Sequence, residues 1–287
     1  MTSLEAIILG IIQGIFMFLP VSSTSHLVLS QHWLISRGSA LPPPESPEMI
    51  LFDLVVHVGT LVSIAVVFQK SLYGFLSRLR GDLEQYLGGG KGCGEFLYLR
   101  LAGMGLFSVF ITGLVGLPLK VYFEQVFARP AAISITLTIT GILLYITDVL
   151  GPRKRGLRKI NPKVATTIGT AQGLALLPGL SRSGMTITFA LLSGLKRRWA
   201  AEYSFFIAFP TIIMATILQS FQVWHINDSL NVGVMQLAIG FLVSALVGIG
   251  ALKLVLKLLY KAKFRYFSYY VWVLAAVVFI SSLRGAL

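Results

Sequence analysis

The chain has 287 residues, 55% of them hydrophobic and 12% charged, with a mean hydropathy of +0.81. About a quarter of the residues in a soluble domain are charged, so this composition excludes an ordinary water-soluble fold and points to a membrane protein. The formal net charge of +13 does not imply a nucleic-acid partner, because the basic residues form short clusters between apolar stretches and no continuous stripe.

The N-terminus has no basic n-region and no small-residue cleavage site, and so reads as mature protein and not as a signal peptide. The first two apolar stretches, 4–19 and 21–35, are separated by Pro20 and the Ser22-Ser23 pair. Both are shorter than the roughly 20 residues that a helix needs to cross the hydrocarbon core. They predict a re-entrant helix-loop-helix, a shape tolerated at membrane depth only inside protein or beside a watery cavity. Three long stretches follow, 49–68, 97–117 and 129–150, each predicted to cross. The segment 69–96 between the first two is predicted to be a cytoplasmic loop, and the lone Cys93 in its Gly-rich part excludes an internal disulfide. A second broken pair, 164–178 and 183–195, surrounds Pro178 and Ser181, and crossings at 201–221, 232–256 and 267–284 complete the chain. The predicted fold is an all-α polytopic membrane protein, one membrane domain over 1–287 with six transmembrane helices and two re-entrant hairpins.

The basic clusters test this count. Lys70, Arg78, Arg80 and Lys91 follow the first crossing; Arg153, Lys154, Arg155, Arg158, Lys159 and Lys163 follow the third. Lys196, Arg197 and Arg198 follow the second hairpin, and Lys257, Lys261, Lys263 and Arg265 precede the last crossing. The segment 118–128 has only Lys120 and 222–231 has no basic residue. Six crossings put all clusters on one side, which the positive-inside rule makes cytoplasmic, with both termini outside.

The two broken pairs resemble each other. Residues 10–29 read GIIQGIFMFLPVSSTSHLVL and residues 169–188 read GTAQGLALLPGLSRSGMTIT. Gly10, Gln13 and Gly14 match Gly169, Gln172 and Gly173; with a one-residue offset, Pro20, Ser23 and Ser25 match Pro178, Ser181 and Ser183. Each pair leads into a long helix with an early acid, Asp53 in one and Glu202 in the other. Repeat one (1–150) and repeat two (151–287) then hold a hairpin and three crossings each. An odd number of crossings inverts one repeat against the other, so the hairpin tips should meet near the midplane, where transporters of this architecture place substrate.

Each tip reads as a proline, small hydroxyl residues and a new helix. Helix starts offer free N–H groups and partial positive charge to an anion. The hydroxyls of Ser22, Ser23, Thr24, Ser181, Ser183 and Thr186 suit a phosphate, and an intramembrane arginine, Arg182, adds a fork that matches its oxygens. His26 follows Ser23 by three residues, which puts a base and a hydroxyl on one helix face. His57 reads as a partner of Asp53 four residues earlier; His32 and His225 read as interfacial, and Trp224, Tyr266 and Tyr269 as interface anchors.

GIIQGIFMFLPVSSTSH, FDLVVHVGT at 52–60 and LPGLSRSGMT at 177–186 resemble the undecaprenyl-diphosphate phosphatases of the BacA type, over essentially the whole chain. The resemblance implies a multi-pass phosphohydrolase of the bacterial inner (plasma) membrane, its site open to the extracytoplasmic side. It would remove the terminal phosphate of a polyprenyl diphosphate and so recycle the lipid carrier of cell-wall synthesis. The resemblance makes Ser23 the nucleophile, His26 its proton partner, and Arg182 with Ser181, Ser183 and Thr186 the diphosphate holders, while Ser22, Thr24, Gln13 and Gln172 complete the binding set. It also implies a divalent cation, Mg²⁺ or Ca²⁺. The family pattern has Glu or Gln, three residues, then an essential Glu; Gln13 fits the first place and Met17 occupies the second. Asp53 and Glu202 are the candidate substitutes for that carboxylate, with Glu5 two to three turns back. The expected partners are the lipid and the membrane, with a homodimer as an open possibility and no nucleic acid. Met17 also favours a second class, a polyprenyl-phosphate binding protein or flippase. An ion channel is disfavoured, since no carboxylate ring or repeated carbonyl motif is present.

Overall fold

The architecture is that of a computed structural model describing residues 1–44, 46–88, 96–127, 130–224 and 233–283, without the side chains of 120, 123–127, 130–131 and 222–224. The expectations for Lys91, Cys93, His225 and most of the 222–231 segment, and for the side chains of Lys120 and Trp224, lie outside the described residues. All described regular structure is helical: α1 (Ser3–Phe16), α2 (Ser23–Ser36), α3 (Pro47–Val67), α4 (Gln69–Leu87), α5 (Leu97–Phe127), α6 (Pro130–Val149), α7 (Pro162–Leu174), α8 (Arg182–Leu192), α9 (Arg197–Trp224), α10 (Val234–Tyr260) and α11 (Arg265–Leu283).

Local chemistry sets the helix starts. Thr2 and Glu5 form a capping box on α1. Ser46 and Asn161 cap α3 and α7, each with proline in the first helical position, where its missing N–H costs nothing. Six helices are long and apolar enough to span a membrane: Pro47–Val67, Leu97–Leu119, Ala132–Val149, Arg197–Phe221, Val234–Tyr260 and Arg265–Leu283. These are the six crossings expected from the sequence. Helices α1, α2, α7 and α8 have 14, 14, 13 and 11 residues. At 1.5 Å per residue, the longest of them reaches only about 21 Å.

Each short pair ends where it begins. Ser39, after α2, donates to Glu5 Oε1 at 2.5 Å, beside the start of α1. Arg155, ahead of α7, exchanges backbone hydrogen bonds of 3.0 Å with Gly194 and Lys196 after α8. That second end is where the basic segments gather. Asp148, at the end of α6, lies between Arg197 (3.8 Å) and Arg265 (3.7 Å), and Arg100 donates to the Arg158 carbonyl at 2.7 Å.

The helices approach closely through small residues, as expected where lipid supplies no hydrophobic drive to associate. α1 lies along α10, which also packs on α3, and α7 lies along α5. A Cβ at Gly59 would stand 2.6 Å from the Phe241 carbonyl oxygen, and one at Gly169 2.6 Å from that of Ser108. Hydroxyls cross the same seams: Ser244 to the Val56 carbonyl (3.0 Å), Ser63 to Ala245 (2.8 Å), Ser108 to Ala165 (2.9 Å) and Thr112 to Gly169 (3.1 Å).

The expected loop 69–96 contains α4, a correction to the sequence reading. Its polar and charged residues lower the average hydropathy below that of a crossing, while Tyr73, Leu76, Tyr86 and Leu87 stand exposed beside Arg80. That composition suits a helix lying along the membrane surface. Asp82 Oδ2 accepts the backbone N–H of Tyr98 (2.7 Å) and Leu99 (3.2 Å), so α4 caps the start of α5 from outside that helix.

Candidate active site

The two hairpin tips touch. Arg182 Nη2 lies 3.4 Å from the Met17 sulfur, and Ser183 Oγ donates to the Phe18 carbonyl at 3.5 Å. Gln13 Nε2 (3.6 Å) and Ser23 Oγ (3.9 Å) point at the same sulfur. Three donors, one of them cationic, therefore converge on a thioether, which is a weak acceptor. Among the described residues no carboxylate pairs with Arg182, and the inward Gln13 Oε1 has no partner.

The second tip is rigidly moored. Gly179 has φ +88°, and its Cβ would meet the Ile133 carbonyl at 3.0 Å, so only glycine makes this turn easily. Thr136 and Thr140 of α6 donate to the Pro178 and Gly179 carbonyls at 2.7 and 3.1 Å. Ser181 caps α8 by accepting the Gly184 N–H at 3.2 Å, which leaves Arg182 as the first helical residue. The first tip carries strain instead. Ser22 is left-handed (φ +68°), an uncommon conformation for a residue with a side chain, and its Oγ meets Ser25 Oγ at 3.0 Å.

His26 supports that strained turn. Its Nδ1 donates to the Ser22 carbonyl at 2.7 Å, so in the neutral ring Nε2 accepts from the Tyr270 hydroxyl at 2.8 Å. The ring stacks on Phe16, with centroids 4.0 Å apart. Both nitrogens are engaged, and neither touches Ser23. The serine–histidine contact expected from the spacing is absent: the helical face is shared, but Ser23 turns to Met17 and His26 to α11. His57 also departs from expectation, since its Nδ1 donates to the Asp53 backbone carbonyl at 2.6 Å and not to the carboxylate.

A small cavity of about 10 Å³ lies beside the tips, lined by Met17, Arg182, Ser183, Thr186 and Ser204, with Ile64 and Phe205 in its wall. Thr186 Oγ1 returns to the Arg182 carbonyl at 3.0 Å. Buried Ser204 Oγ has no hydrogen-bond partner. Sequence reasoning missed Ser204 and Tyr270: neither lies in a broken segment, and only the fold brings α9 and α11 to the tips. Other expected residues lie elsewhere. Thr24 is exposed, and Gln172 donates to Thr112 (3.0 Å) and Thr211 (2.9 Å) between helices. Glu202 pairs with Arg198 at 2.8 Å, Asp53 accepts from Gln31 at 3.2 Å, and Glu5 serves the α1 cap.

The tip residues do not fit a protein-held Mg²⁺ or Ca²⁺. Such ions need several hard oxygen ligands, usually with carboxylates among them. Here the donor set is a thioether, one amide oxygen and hydroxyls beside a guanidinium, and no cluster of three His, Cys, Asp or Glu occurs among the described residues.

Comparison with known proteins places the chain in a family. Residues 6–277 match the family described as Bacitracin resistance protein BacA. A protein named undecaprenyl-diphosphatase from Alkalilimnicola ehrlichii is 62% identical over 270 residues, 94% of this chain and 93% of that one. One of the same name from Halorhodospira halophila is 57% identical, covering 96% of both chains, and one from Carboxydothermus hydrogenoformans is 35% identical, covering 99% of both.

Proposed function

The chain belongs to the BacA family, and on that premise we propose that it hydrolyses undecaprenyl diphosphate to undecaprenyl phosphate and phosphate at the junction of its two hairpin tips. The observation that carries the site assignment is Arg182, half-buried and aimed with Gln13 and Ser23 at a poor acceptor. A desolvated cation without a counter-charge is costly, and a phosphate arriving beside it removes that cost. The helix starts at Ser23 and Arg182 add free N–H groups of matching polarity.

In this reading Ser23 Oγ attacks the terminal phosphorus. The bridging P–O bond breaks, the lipid monophosphate leaves, and water then cleaves the seryl phosphate. Arg182 stabilises the charge on the transferring group. The Ser23 proton passes to His26 Nε2 once that nitrogen gives up the Tyr270 hydroxyl; Tyr270 and Ser22 position the ring until then. Ser181, Ser183, Thr186 and Ser204 complete the phosphate pocket. A divalent cation belongs to this reading only as the counter-ion of the diphosphate, so no step runs through a bound metal.

The membrane placement belongs to the same reading. The α1–α2 and α7–α8 pairs are re-entrant hairpins of inverted repeats in a bacterial inner membrane, the basic end is cytoplasmic, and the head group enters from the opposite face. The return of each pair to its own end and the contact of the tips support this. Hydrolysis at this point regenerates the carrier for cell-wall polymers, which fits the bacitracin-resistance description of the family.

Phosphate release from undecaprenyl diphosphate by purified protein tests the assignment. Arg182→Ala should lower it by about 10³-fold or more, the scale seen when an arginine leaves a phosphoryl-transfer site, with an unchanged helical spectrum and gel-filtration profile. Retained activity in folded protein would remove Arg182 from the site. A second reading, transfer of polyprenyl phosphate across the membrane, rests on the meeting of two oppositely entering tips. It requires movement of labelled lipid between vesicle leaflets by protein that releases no phosphate.

A further inference from the structure

The first tip leads into a helix that is packed on one side. Along α2, Leu27, Gln31 and Leu34 are buried, and the two leucines join a cluster with Ala6 and Leu9 of α1 and Met49 and Phe52 of α3. Ser23, His26, Ser30 and Trp33 follow one another at helical spacing on the neighbouring face. Exposure on that face rises away from the tip: His26 is buried, Ser30 half-buried and Trp33 56% exposed. The guanidinium of Arg37 stacks over the Trp33 ring at 5.6 Å, and an aromatic ring in such a position suits the level of lipid head groups.

A matching face lies on α11, where Tyr270, Leu274 and Val277 stand at helical spacing and Val277 is 54% exposed. The two helices meet where the Tyr270 hydroxyl donates to His26 Nε2 at 2.8 Å, with ring centroids 5.8 Å apart. Both run from that bond away from the basic end, since α11 begins at Arg265 beside Asp148 and the segment after α2 returns to Glu5. Beyond the bond each keeps to its own neighbour, α2 to α1 and α11 to α6, and their backbones approach each other little. A wedge therefore opens between them, with the His26–Tyr270 bond as its floor, Ser23 beside that floor, and Trp33 and Val277 at its mouth. An amphiphile whose head sits at the tips must keep its hydrocarbon tail out of water. This wedge joins the tips to the surrounding lipid, whereas the groove of Trp272 and Phe279 on α11 is lined by no residue of either tip.

We propose that this wedge is the lateral entrance for a polyprenyl phosphate or diphosphate from the extracytoplasmic leaflet, and that the isoprene units nearest the head lie in it between α2 and α11. The inference rests on the hydrolase reading for the identity of the head group and for the orientation in the membrane. It adds that the tail stays in the bilayer throughout, with Ser30, Trp33, Leu274 and Val277 as its contacts.

Photolabelling tests this in the full-length protein in phosphatidylcholine vesicles. The probe is a polyprenyl monophosphate with a diazirine in its first isoprene units, and adducts are mapped by mass spectrometry. Adducts are expected on the α2 peptide around Ser30 and Trp33 and the α11 peptide around Leu274 and Val277, competed by unlabelled polyprenyl phosphate and not by phosphatidylglycerol. A second arm closes the mouth: with Cys93→Ser as background, Trp33→Cys and Val277→Cys are bridged by a reducible bifunctional thiol reagent. The bridge should lower the adduct yield by about tenfold or more, the scale on which apolar sites discriminate. Reduction should restore labelling in the same protein, which excludes misfolding as the cause. Adducts confined to the groove of Trp272 and Phe279, equal competition by phosphatidylglycerol, a cysteine pair that does not bridge, or full labelling of the bridged protein would each overturn the entrance. Protein that releases no phosphate yet labels as expected would sink the hydrolase reading and leave the entrance standing.

Discussion

Met17 sits where Gln13, Ser23 and Arg182 all direct hydrogens, yet its sulfur accepts hydrogen bonds weakly and carries no charge. A carboxylate at this point would pair with Arg182 and receive the Ser23 proton directly, without requiring His26 to leave Tyr270. General base help of that kind is worth about 10²–10⁴-fold in rate. Met17→Glu should therefore raise phosphate release by roughly that factor, and a divalent cation should stimulate the variant more than the parent protein. An unchanged rate would show that the thioether is no lesion and that substrate supplies its own base. Tyr270 offers a second test. Tyr270→Phe removes the hydroxyl from His26 Nε2 at 2.8 Å without changing the stacked ring. Its turnover number should change while KM for the diphosphate stays near the parent value, because Tyr270 touches the proton carrier and not the phosphate pocket. A shift in KM alone would assign Tyr270 to substrate binding.

At the scale of helices, close approach does the structural work. Gly59 faces Ser244 and the Phe241 carbonyl, and the 2.6 Å separation to that oxygen leaves no space for a side chain. Gly59→Val should push α3 from α10 and cost about 1–3 kcal/mol, the usual penalty of overpacking. The same change at Gly103, where a Cβ meets nothing within 4 Å, should be tolerated. Thermal stability in one detergent distinguishes the pair, and equal melting temperatures would mean that the α3–α10 seam yields freely. The short hairpin helices are held differently, by hydroxyl-to-carbonyl bonds from α6 at the second tip and by His26 at the first.

Among the described residues the basic segments gather at one end, where Asp148 ties α6 to α9 and α11 and where the segments at 155 and 194–196 pair. Membrane insertion keeps such clusters in the cytoplasm. With Cys93→Ser as background, a cysteine at Asn227 should react with an impermeant maleimide on intact cells, while one at Lys154 should react only after lysis. The reverse pattern would turn the protein over in the membrane and close the proposed extracytoplasmic entry.

Hydropathy and length alone determined the six crossings and the two short pairs, because each follows from a run of apolar side chains against a fixed bilayer thickness. The PVSSTSH and LPGLSRSGMT segments likewise made a candidate anion site legible, since proline breaks, hydroxyls and an arginine within an apolar region are local chemistry. The amphipathic α4 escaped that reading because its apolar residues are spread along a polar helix and never form a run. The site's connectivity was not legible for a different reason. Ser23 and His26 share a helical face, but Ser23 turns to Met17 while His26 is drawn to Tyr270, 244 positions away, which only the tertiary packing supplies. Met17 under Arg182, 165 positions on, and unpartnered Ser204 are likewise products of packing between hairpins and crossings. Distances across a bundle are set by the close contacts of its small residues, and no spacing along the chain encodes them.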